Sequence, residues 1–213
     1  MRIPIAPFSG VLLAFVAGYI DTATFLRVSE LFSAHITGNF VVFAISLVHG
    51  VKGVDWLKLI ALPVFFLGVP LATFVYDRSR QKIRTVLAIE SSLLVGVSII
   101  ELLPHSAAYS AGFAMLLVLA MAMQNAAHHV EPGLGPTSAV MTTNTARLFV
   151  ALWRKANPPS SEAPPVKVKG ISARLICFAL GCALSAFASN TYGLAAVLLP
   201  GLVVGFVALF HEP

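Results

Sequence analysis

Eight apolar runs separated by short polar connections take up most of this chain. A helix needs roughly 20 mainly apolar residues to cross a bilayer, and most of the runs approach that length. Charged residues make up only 11% of the sequence, whereas soluble domains carry roughly 25%. The pattern predicts an all-α, polytopic transmembrane helix bundle that forms one integral membrane domain over residues 1–213. The apolar runs fall at about 8–28, 36–49, 57–76, 84–103, 110–128, 137–153, 172–189 and 193–211.

The distribution of basic residues predicts how the runs cross the membrane. Of 14 Lys and Arg residues, four lie in 77–84 and five in 154–174, whereas 104–109 has none. By the positive-inside rule, the two basic connections are cytoplasmic and 104–109 is external. Because both basic connections lie on the same side of the membrane, the chain between them must cross an even number of times. Three apolar runs lie between them. We therefore interpret 110–128 and 137–153 as one interrupted passage.

Treating 8–28 and 36–49 in the same way gives six passages with both termini cytoplasmic. The predicted fold is two inverted repeats of three passages each, about 1–105 and 106–213, with the first passage of each repeat broken. The alternative is eight full helices, which would place one basic connection outside and make the two halves parallel. The positive-inside rule favours the inverted version.

Two short polar signatures support the repeat. The segment Thr37-Gly38-Asn39 matches Thr142-Thr143-Asn144 at an offset of 105 residues. In front of each, Gly18-Tyr19-Ile20-Asp21 lies opposite Ala122-Met123-Gln124-Asn125 at an offset of 104. Each signature is associated with one of the predicted breaks, which makes a chance match less plausible.

Asp21 is the acidic residue inside the first apolar run. A carboxylate in hydrocarbon is costly and commonly marks a solute or proton pathway, which is the interpretation we favour. The alternative is that Asp21 lies near the end of its helix and accepts hydrogen bonds from the break that follows.

His35 and Asn39 share a face at the start of the short second run, with Thr37 between them. A helix that begins inside the membrane offers free backbone N–H groups to an anionic or hydrogen-bonding ligand. The equally weighted alternative is that Asn39 ties helices together.

In the second half, Gln124, Asn125 and Asn144 are the corresponding amides. Arg147 is a hypothetical partner for Asp21 across the repeats, or a side chain that extends to the cytoplasmic interface.

The sequence contains no convincing metal, cofactor or catalytic pattern. His128, His129 and Glu131 carry ligand-type groups, but adjacent histidines project to different faces of a helix and the spacing matches no metal motif. Nucleophile, Walker and dinucleotide motifs are missing from the sequence as well. The basic residues lie in loops and are not interleaved with aromatic residues, which argues against nucleic acid. We expect neither enzyme activity nor a cofactor.

The first signature resembles the YoaK-like family of bacterial membrane proteins (domain of unknown function 1275). That family carries Gly-x-x-Asp followed by His/Met-Thr-Gly-Asn, as in Gly18 to Asp21 and His35 to Asn39 here. Its second signature has Gly before x-Gln-Asn and Thr-Gly before Asn, where this chain has Ala122 and Thr143. The resemblance covers nearly the whole chain and implies a bacterial cytoplasmic (inner) membrane location, but it assigns no activity.

The sequence favours a secondary transporter or channel for a small polar solute, with its site near the bilayer midplane between the two broken helices. The indicated partners are the lipid bilayer and a solute or proton, and a homo-oligomer is compatible with the pattern. A non-transporting membrane scaffold is the alternative, and a membrane-embedded enzyme is the third choice. The predicted solute-binding residues are Asp21 and His35, which would handle protons or charge, and Thr37, Asn39, Gln124, Asn125 and Asn144, which would supply hydrogen bonds.

Overall fold

The computed structural model describes residues 6–103, 110–138, 141–157 and 170–211, and this part of the chain is helical without strands. The prediction of an all-α membrane helix bundle is confirmed. Short 3-10 helices precede α3, follow α5 and precede α8. The eight α-helices of the described part are α1 (Ala6–Arg27), α2 (Gly38–His49), α3 (Trp56–Arg78), α4 (Ile83–Glu101), α5 (Ser110–Val130), α6 (Met141–Ala156), α7 (Ile171–Tyr192) and α8 (Leu198–Phe210).

Five stretches of helix are long and apolar enough to cross a membrane. The last of them, Ile171–Phe210, contains both α7 and α8, so six helices account for the five stretches. The first four correspond to α1, α3, α4 and α5. Helix α2 is apolar but has only 12 residues, or about 18 Å of helix. Helix α6 carries Arg147, Arg154 and Lys155 and is amphipathic.

Helices α1 and α7 pack closely and run in the same direction. Near their starts, Gly10 lies against the Arg174 guanidinium, and near their ends the Arg27 guanidinium lies 3.8 Å from where a Cβ on Gly193 would be. Between these points Gly18 lies directly on the Phe178 carbonyl. The two backbones approach because glycine has no side chain at the crossing.

Helices α3 and α5 form the equivalent parallel pair in the other half of the bundle. Gly68 packs against Ala122, whose Cβ is 2.6 Å from the position of a Cβ on Gly68. At the end of α3, the Tyr76 hydroxyl donates a hydrogen bond of 3.1 Å to Glu131, just past the end of α5. The first helix of each half therefore packs on the third helix of the other half, as an internal repeat predicts.

Helices α4 and α8 are antiparallel and are tied along their length. Arg84 Nε donates to the His211 carbonyl at 2.8 Å, the Ser91 hydroxyl donates to the Gly201 carbonyl at 2.8 Å, and the Ser98 hydroxyl donates to the Ala195 carbonyl at 2.6 Å.

The end of α8 also meets the start of α1, because Ser9 Oγ and His211 Nδ1 are 2.9 Å apart. The ends of α5 and α3 lie nearby, since Gly133 is beside the His211 ring and Tyr76 bonds to Glu131. We call this end of the bundle, where the 77–84 connection lies, the basic end. The opposite end, where α1 ends, is the far end.

These contacts determine the path of the chain. Helix α1 runs from the basic end to the far end and α3 runs back, so α2 leaves from and returns to the far end without crossing. Helix α5 ends and α7 begins at the basic end, so α6 does not cross either. Three passages per half result, and the first helices of the two halves, α1 and α5, run in opposite directions.

The path of the chain differs from the sequence prediction in one respect. Helix α1 is continuous from Ala6 to Arg27 and, at about 33 Å, spans the hydrocarbon without α2. The break follows the passage instead of interrupting it, and the same holds for α5. The assignment of 1–105 and 106–213 as repeats of one domain stays a prediction.

Candidate functional site

The segment 28–37, which we call the first break, folds over the end of α1 and is held there by Asp21. The Asp21 Oδ1 accepts hydrogen bonds from the backbone N–H of Ser33 at 2.9 Å and of Ala34 at 2.6 Å, and Oδ2 accepts from His35 N at 3.1 Å. The residue is only 5% exposed. The carboxylate thus satisfies three backbone donors that would otherwise be unpaired in an apolar setting. This arrangement matches the capping alternative for Asp21.

Asn39 holds the same break from the other side. Its Oδ1 accepts from Phe32 N at 2.8 Å and its Nδ2 donates to the Phe32 carbonyl at 2.9 Å, so both polar groups of one residue are satisfied by one amide. Asn39 is buried in the first turn of α2. Asn39 therefore lies beside Asp21 and His35, as predicted, and its side chain forms its hydrogen bonds with the backbone of the first break.

His35 and Thr37 are exposed, in contrast to Asp21 and Asn39. The His35 ring lies edge-on to Phe32, with ring centroids 5.7 Å apart, and it borders an open cavity of about 520 Å³. Asp21 also borders this cavity. Its walls are mainly apolar and are formed by Asp21, Thr22, Phe25, Leu26, Phe32, His35, Phe178, Cys182 and Ala186.

A second cavity of about 510 Å³ lies beside the first break at the far end, between α2 and the start of α3. Its lining is more polar and includes Glu30, His49 and a close ion pair between Lys58 and Asp55 at 2.6 Å. Lys58 and Asp55 are both buried. Sequence reasoning missed this pair, although its three-residue spacing at a helix start is a signal for a local ion pair.

The second break, 131–140, is described for residues 131–138 and lies at the basic end. Gln124 Nε2 donates to the Leu13 carbonyl at 3.0 Å and to the Ser138 hydroxyl at 2.8 Å. Asn144 Nδ2 donates to the Thr137 carbonyl at 3.2 Å. Asn144 and Thr137 are 105 residues after Asn39 and Phe32, so the same amide contact occurs at the same offset in both halves.

Arg174 is the main residue at the second break that sequence reasoning overlooked. From the first turn of α7 its guanidinium donates to the carbonyls of Pro136 at 2.6 Å and Leu134 at 2.7 Å. His128 Nδ1 lies 3.2 Å from the Gly135 carbonyl. A cation thus binds carbonyl groups at the second break, whereas an anion binds N–H groups at the first. In the sequence, Arg174 was counted with the other basic residues of a connection. Its position at the edge of an apolar run was the signal that could have indicated a separate role.

Two other residues that the sequence pointed to are not joined to these groups in the described part of the chain. The Asn125 side chain is half-buried and forms no hydrogen bond there, because it projects about 100° away from Gln124 on α5, and its contact with a solute stays a prediction. Arg147 is exposed on α6 and does not pair with Asp21, whose oxygens are occupied by backbone groups.

The two polar groups lie toward opposite ends of the bundle and do not form one central cluster. Gln124 contacts α1 at Leu13, eight residues before Asp21 and so about 12 Å from it along the helix axis. The predicted residues therefore form two groups: Asp21, His35, Thr37 and Asn39 at the first break, and Gln124 and Asn144 at the second.

Several ionisable groups meet at the basic end near the second break. Glu131 accepts from Tyr76 and from Gly133 N, and the neighbouring His211 is buried beside Ser9. Burial lowers the pKa of His211, with nearby Glu131 partly opposing the effect. Within the described ranges, no three His, Cys, Asp or Glu side chains are grouped so that they could hold a metal ion.

The fold and its polar breaks define a multi-pass α-helical membrane protein. The family described as "Protein of unknown function (DUF1275)" matches residues 9–210, and the chain belongs to this family. The YoaK-like resemblance is consistent with this membership. No curated protein and no solved structure gives a significant match.

Proposed function

We propose that the protein is a secondary transporter or channel for a small polar solute and has no enzyme activity. The observation that carries the proposal is the opposite direction of α1 and α5, each followed by a polar break at a different end of the bundle. Inverted halves with breaks at both ends suit a carrier, because the same polar elements can then face either side of the membrane. We place it in a bacterial inner membrane with the basic end and both termini in the cytoplasm.

The solute would first meet the protein at the far end. The two cavities beside the first break, of about 520 and 510 Å³, are large enough for a small polar molecule. His35 is exposed at the edge of one cavity, and Lys58 and Asp55 line the other. Gln124 at the second break keeps a buried Oε1 without a hydrogen-bond partner, which a passing donor could satisfy.

A membrane scaffold is the second candidate, and one observation favours it. Asp21, Asn39 and Asn144 direct their hydrogen bonds to backbone groups, which is what residues that hold the fold together do. In that case the polar signatures would stabilise the breaks without contacting a solute.

His35 gives the sharpest test, because its exposed ring can be removed without leaving a buried group unpaired. We expect His35→Ala to keep the wild-type yield and melting temperature and to lower solute uptake at least tenfold in proteoliposomes. The matched control is His129→Ala, an exposed histidine in the last turn of α5 that lines neither cavity. The assay is uptake of a panel of radiolabelled amino acids, sugars, nucleosides and small organic ions.

The control should transport like the wild type. If the wild-type protein moves no solute of the panel and no ion, while Asn39→Ala lowers the folded yield, the scaffold function replaces the proposal. If His35→Ala transports normally, the first break is not part of the pathway.

A further inference from the structure

Glu90 is a buried carboxyl group inside a membrane-spanning helix. It is 0% exposed and lies on the buried stripe of α4, with Val86, Leu87 and Leu94 on the same face. From the start of α4 it is seven residues, or about 10 Å, into the bundle. Both of its oxygens are buried without a hydrogen-bond partner.

This situation distinguishes Glu90 from other carboxylates of the described chain. Asp21 binds three backbone N–H groups, Asp55 binds Lys58 and the N–H of Lys52, and Glu131 binds Tyr76 and Gly133. Each of these groups has partners that stabilise a negative charge. Nothing comparable surrounds Glu90, so a charged Glu90 would be much less stable than a protonated one in the closed bundle.

The elements packed against α4 supply no charge close to Glu90. Helix α8 and the 3-10 helix before it contain no titratable side chain. On α5 the titratable residues are His128 and His129, both in the last turn at the basic end. On α3 they are Lys58 near the start and Tyr76, Asp77 and Arg78 at the end. None of these forms a hydrogen bond or ion pair with Glu90.

We propose that Glu90 is a proton-binding site and that the transported solute is coupled to protons through it. The inference rests on the proposed transport function. In the closed bundle Glu90 holds a proton as a neutral carboxyl. When the bundle opens and water or a polar solute reaches Glu90, the O–H bond breaks, the proton leaves to water on that side of the membrane and a carboxylate remains. The carboxylate takes up a proton from the other side before the cycle is complete.

The contacts of α4 indicate which movement would expose Glu90. Helix α8 lies so close to α4 that a Cβ on Gly205 would be 2.9 Å from Ser91 Oγ, and one on Gly201 would be 3.1 Å from Leu94 Cβ. Three side-chain hydrogen bonds join α4 to the segment from Ala195 to His211. Separation of α4 from α8 or α5 is therefore required before water can reach the carboxyl group.

The test uses the full-length protein in proteoliposomes, with two measurements on each variant. Infrared spectroscopy detects the C=O stretch of a protonated carboxyl at neutral pH, and an internal pH dye detects proton uptake driven by a potassium diffusion potential. We expect Glu90→Gln to lose the carboxyl band and to reduce proton uptake at least tenfold. Glu101→Gln, on the same helix at the far end, is the matched control and should keep both signals.

Glu90→Met is a second variant that separates loss of the carboxyl group from misfolding. Its apolar side chain of similar size removes the buried unpaired oxygens, so this variant should fold at least as well as the wild type. It should give the same two losses as Glu90→Gln. The proposal is overturned if the wild type shows no such band, if the band survives in Glu90→Gln, or if proton uptake is missing in the wild type or unchanged in both variants. Solute uptake that continues without proton uptake would overturn this inference alone, whereas the loss of all solute uptake in the wild type would count against the transport function.

Discussion

At the scale of single residues, polar side chains inside the apolar bundle largely serve the backbone of the two breaks. A segment that leaves a helix inside or near hydrocarbon exposes N–H and C=O groups that have no water to bond. Asp21 and Asn39 satisfy them at the first break, and Arg174 and Asn144 do so at the second. This explains why ionisable residues occur in these apolar runs even apart from any solute.

The repeated asparagine contact gives a quantitative prediction. Asn39→Ala leaves the backbone N–H and carbonyl of Phe32 without their partner, at a cost of about 2–4 kcal/mol. Asn144→Ala removes one hydrogen bond to backbone, of 3.2 Å, and a weak contact of 3.9 Å with Met141 Sδ, and should cost about half as much. We expect the melting temperature in detergent, followed by tryptophan fluorescence, to fall in that order.

Asn190→Ala is the control for both variants, because Asn190 is exposed on α7 and its replacement should leave the melting temperature unchanged. An Asn39→Ala protein as stable as this control would show that the bidentate contact with Phe32 contributes nothing to folding.

The sequence was informative about some of these residues and silent about others. Asn39 and Asn144 were recognisable because the two signatures repeat at a fixed offset. Arg174 was not, since one basic residue in a basic connection resembles its neighbours, and only the folded chain shows that carbonyl groups surround it. The choice between a solute and the backbone as the partner of Asp21 also depends on where segment 33–35 folds.

At the scale of helices, two close crossings hold the halves together. The α1–α7 crossing has glycine on both sides, since Gly18 faces the Phe178 carbonyl and Gly181 faces the Phe15 carbonyl. The α3–α5 crossing has glycine on one side only, with Gly68 against Ala122. Ala122 replaces the glycine of the family's second signature, and Gly68 on the partner helix preserves the close approach.

Substitution at the first crossing should be costly. A Cβ at Gly18 would overlap the Phe178 carbonyl oxygen, which belongs to helix backbone and cannot turn away, so Gly18→Ala should lower the free energy of unfolding by about 1–3 kcal/mol. Gly96→Ala is the matched control, since a Cβ there meets no atom within 4 Å. Unfolding in a denaturing detergent, monitored by circular dichroism, gives the comparison, and equal stability of the two variants would contradict the packing described for α1 and α7.

The apolar runs also show that the length of a run does not by itself predict how the helix is arranged in the membrane. Runs 36–49 and 137–153 were correctly identified as unusual because they are short. Their relation to the preceding helix could not be read from length, because a run of 14 residues suits a piece of a broken passage as well as a separate helix that returns to the same end. The side-chain contacts of Asp21 and Gln124 decide it, as they fold each break onto the end of a continuous helix.

At the scale of the whole molecule, the count of basic residues predicts how the helices cross the membrane. Six crossings with inverted halves followed from three connections and a parity argument. The contacts show where the described helices begin and end, because Arg84, His211 and Ser9 meet at one end of the bundle while Arg27 and Gly193 meet at the other. These helix directions agree with six crossings, and the crossing of a membrane stays a prediction. The predicted site at the midplane is not observed. The first helices of the two halves run in opposite directions, so the breaks that come directly after them lie at opposite ends of the bundle.

Cysteine labelling tests this topology directly. With Cys177 and Cys182 replaced by Ala, the exposed positions Ser29, Arg80 and Asn157 receive single cysteines. Six crossings put Arg80→Cys and Asn157→Cys on the cytoplasmic side and Ser29→Cys on the outside, since α1 crosses once and neither α2 nor α6 crosses. A membrane-impermeant maleimide should therefore label Ser29→Cys in intact spheroplasts and label the other two only in inside-out vesicles. Eight crossings would instead place Arg80→Cys and Asn157→Cys on opposite sides, and labelling of one of them in spheroplasts would refute the inverted arrangement on which the transport proposal rests.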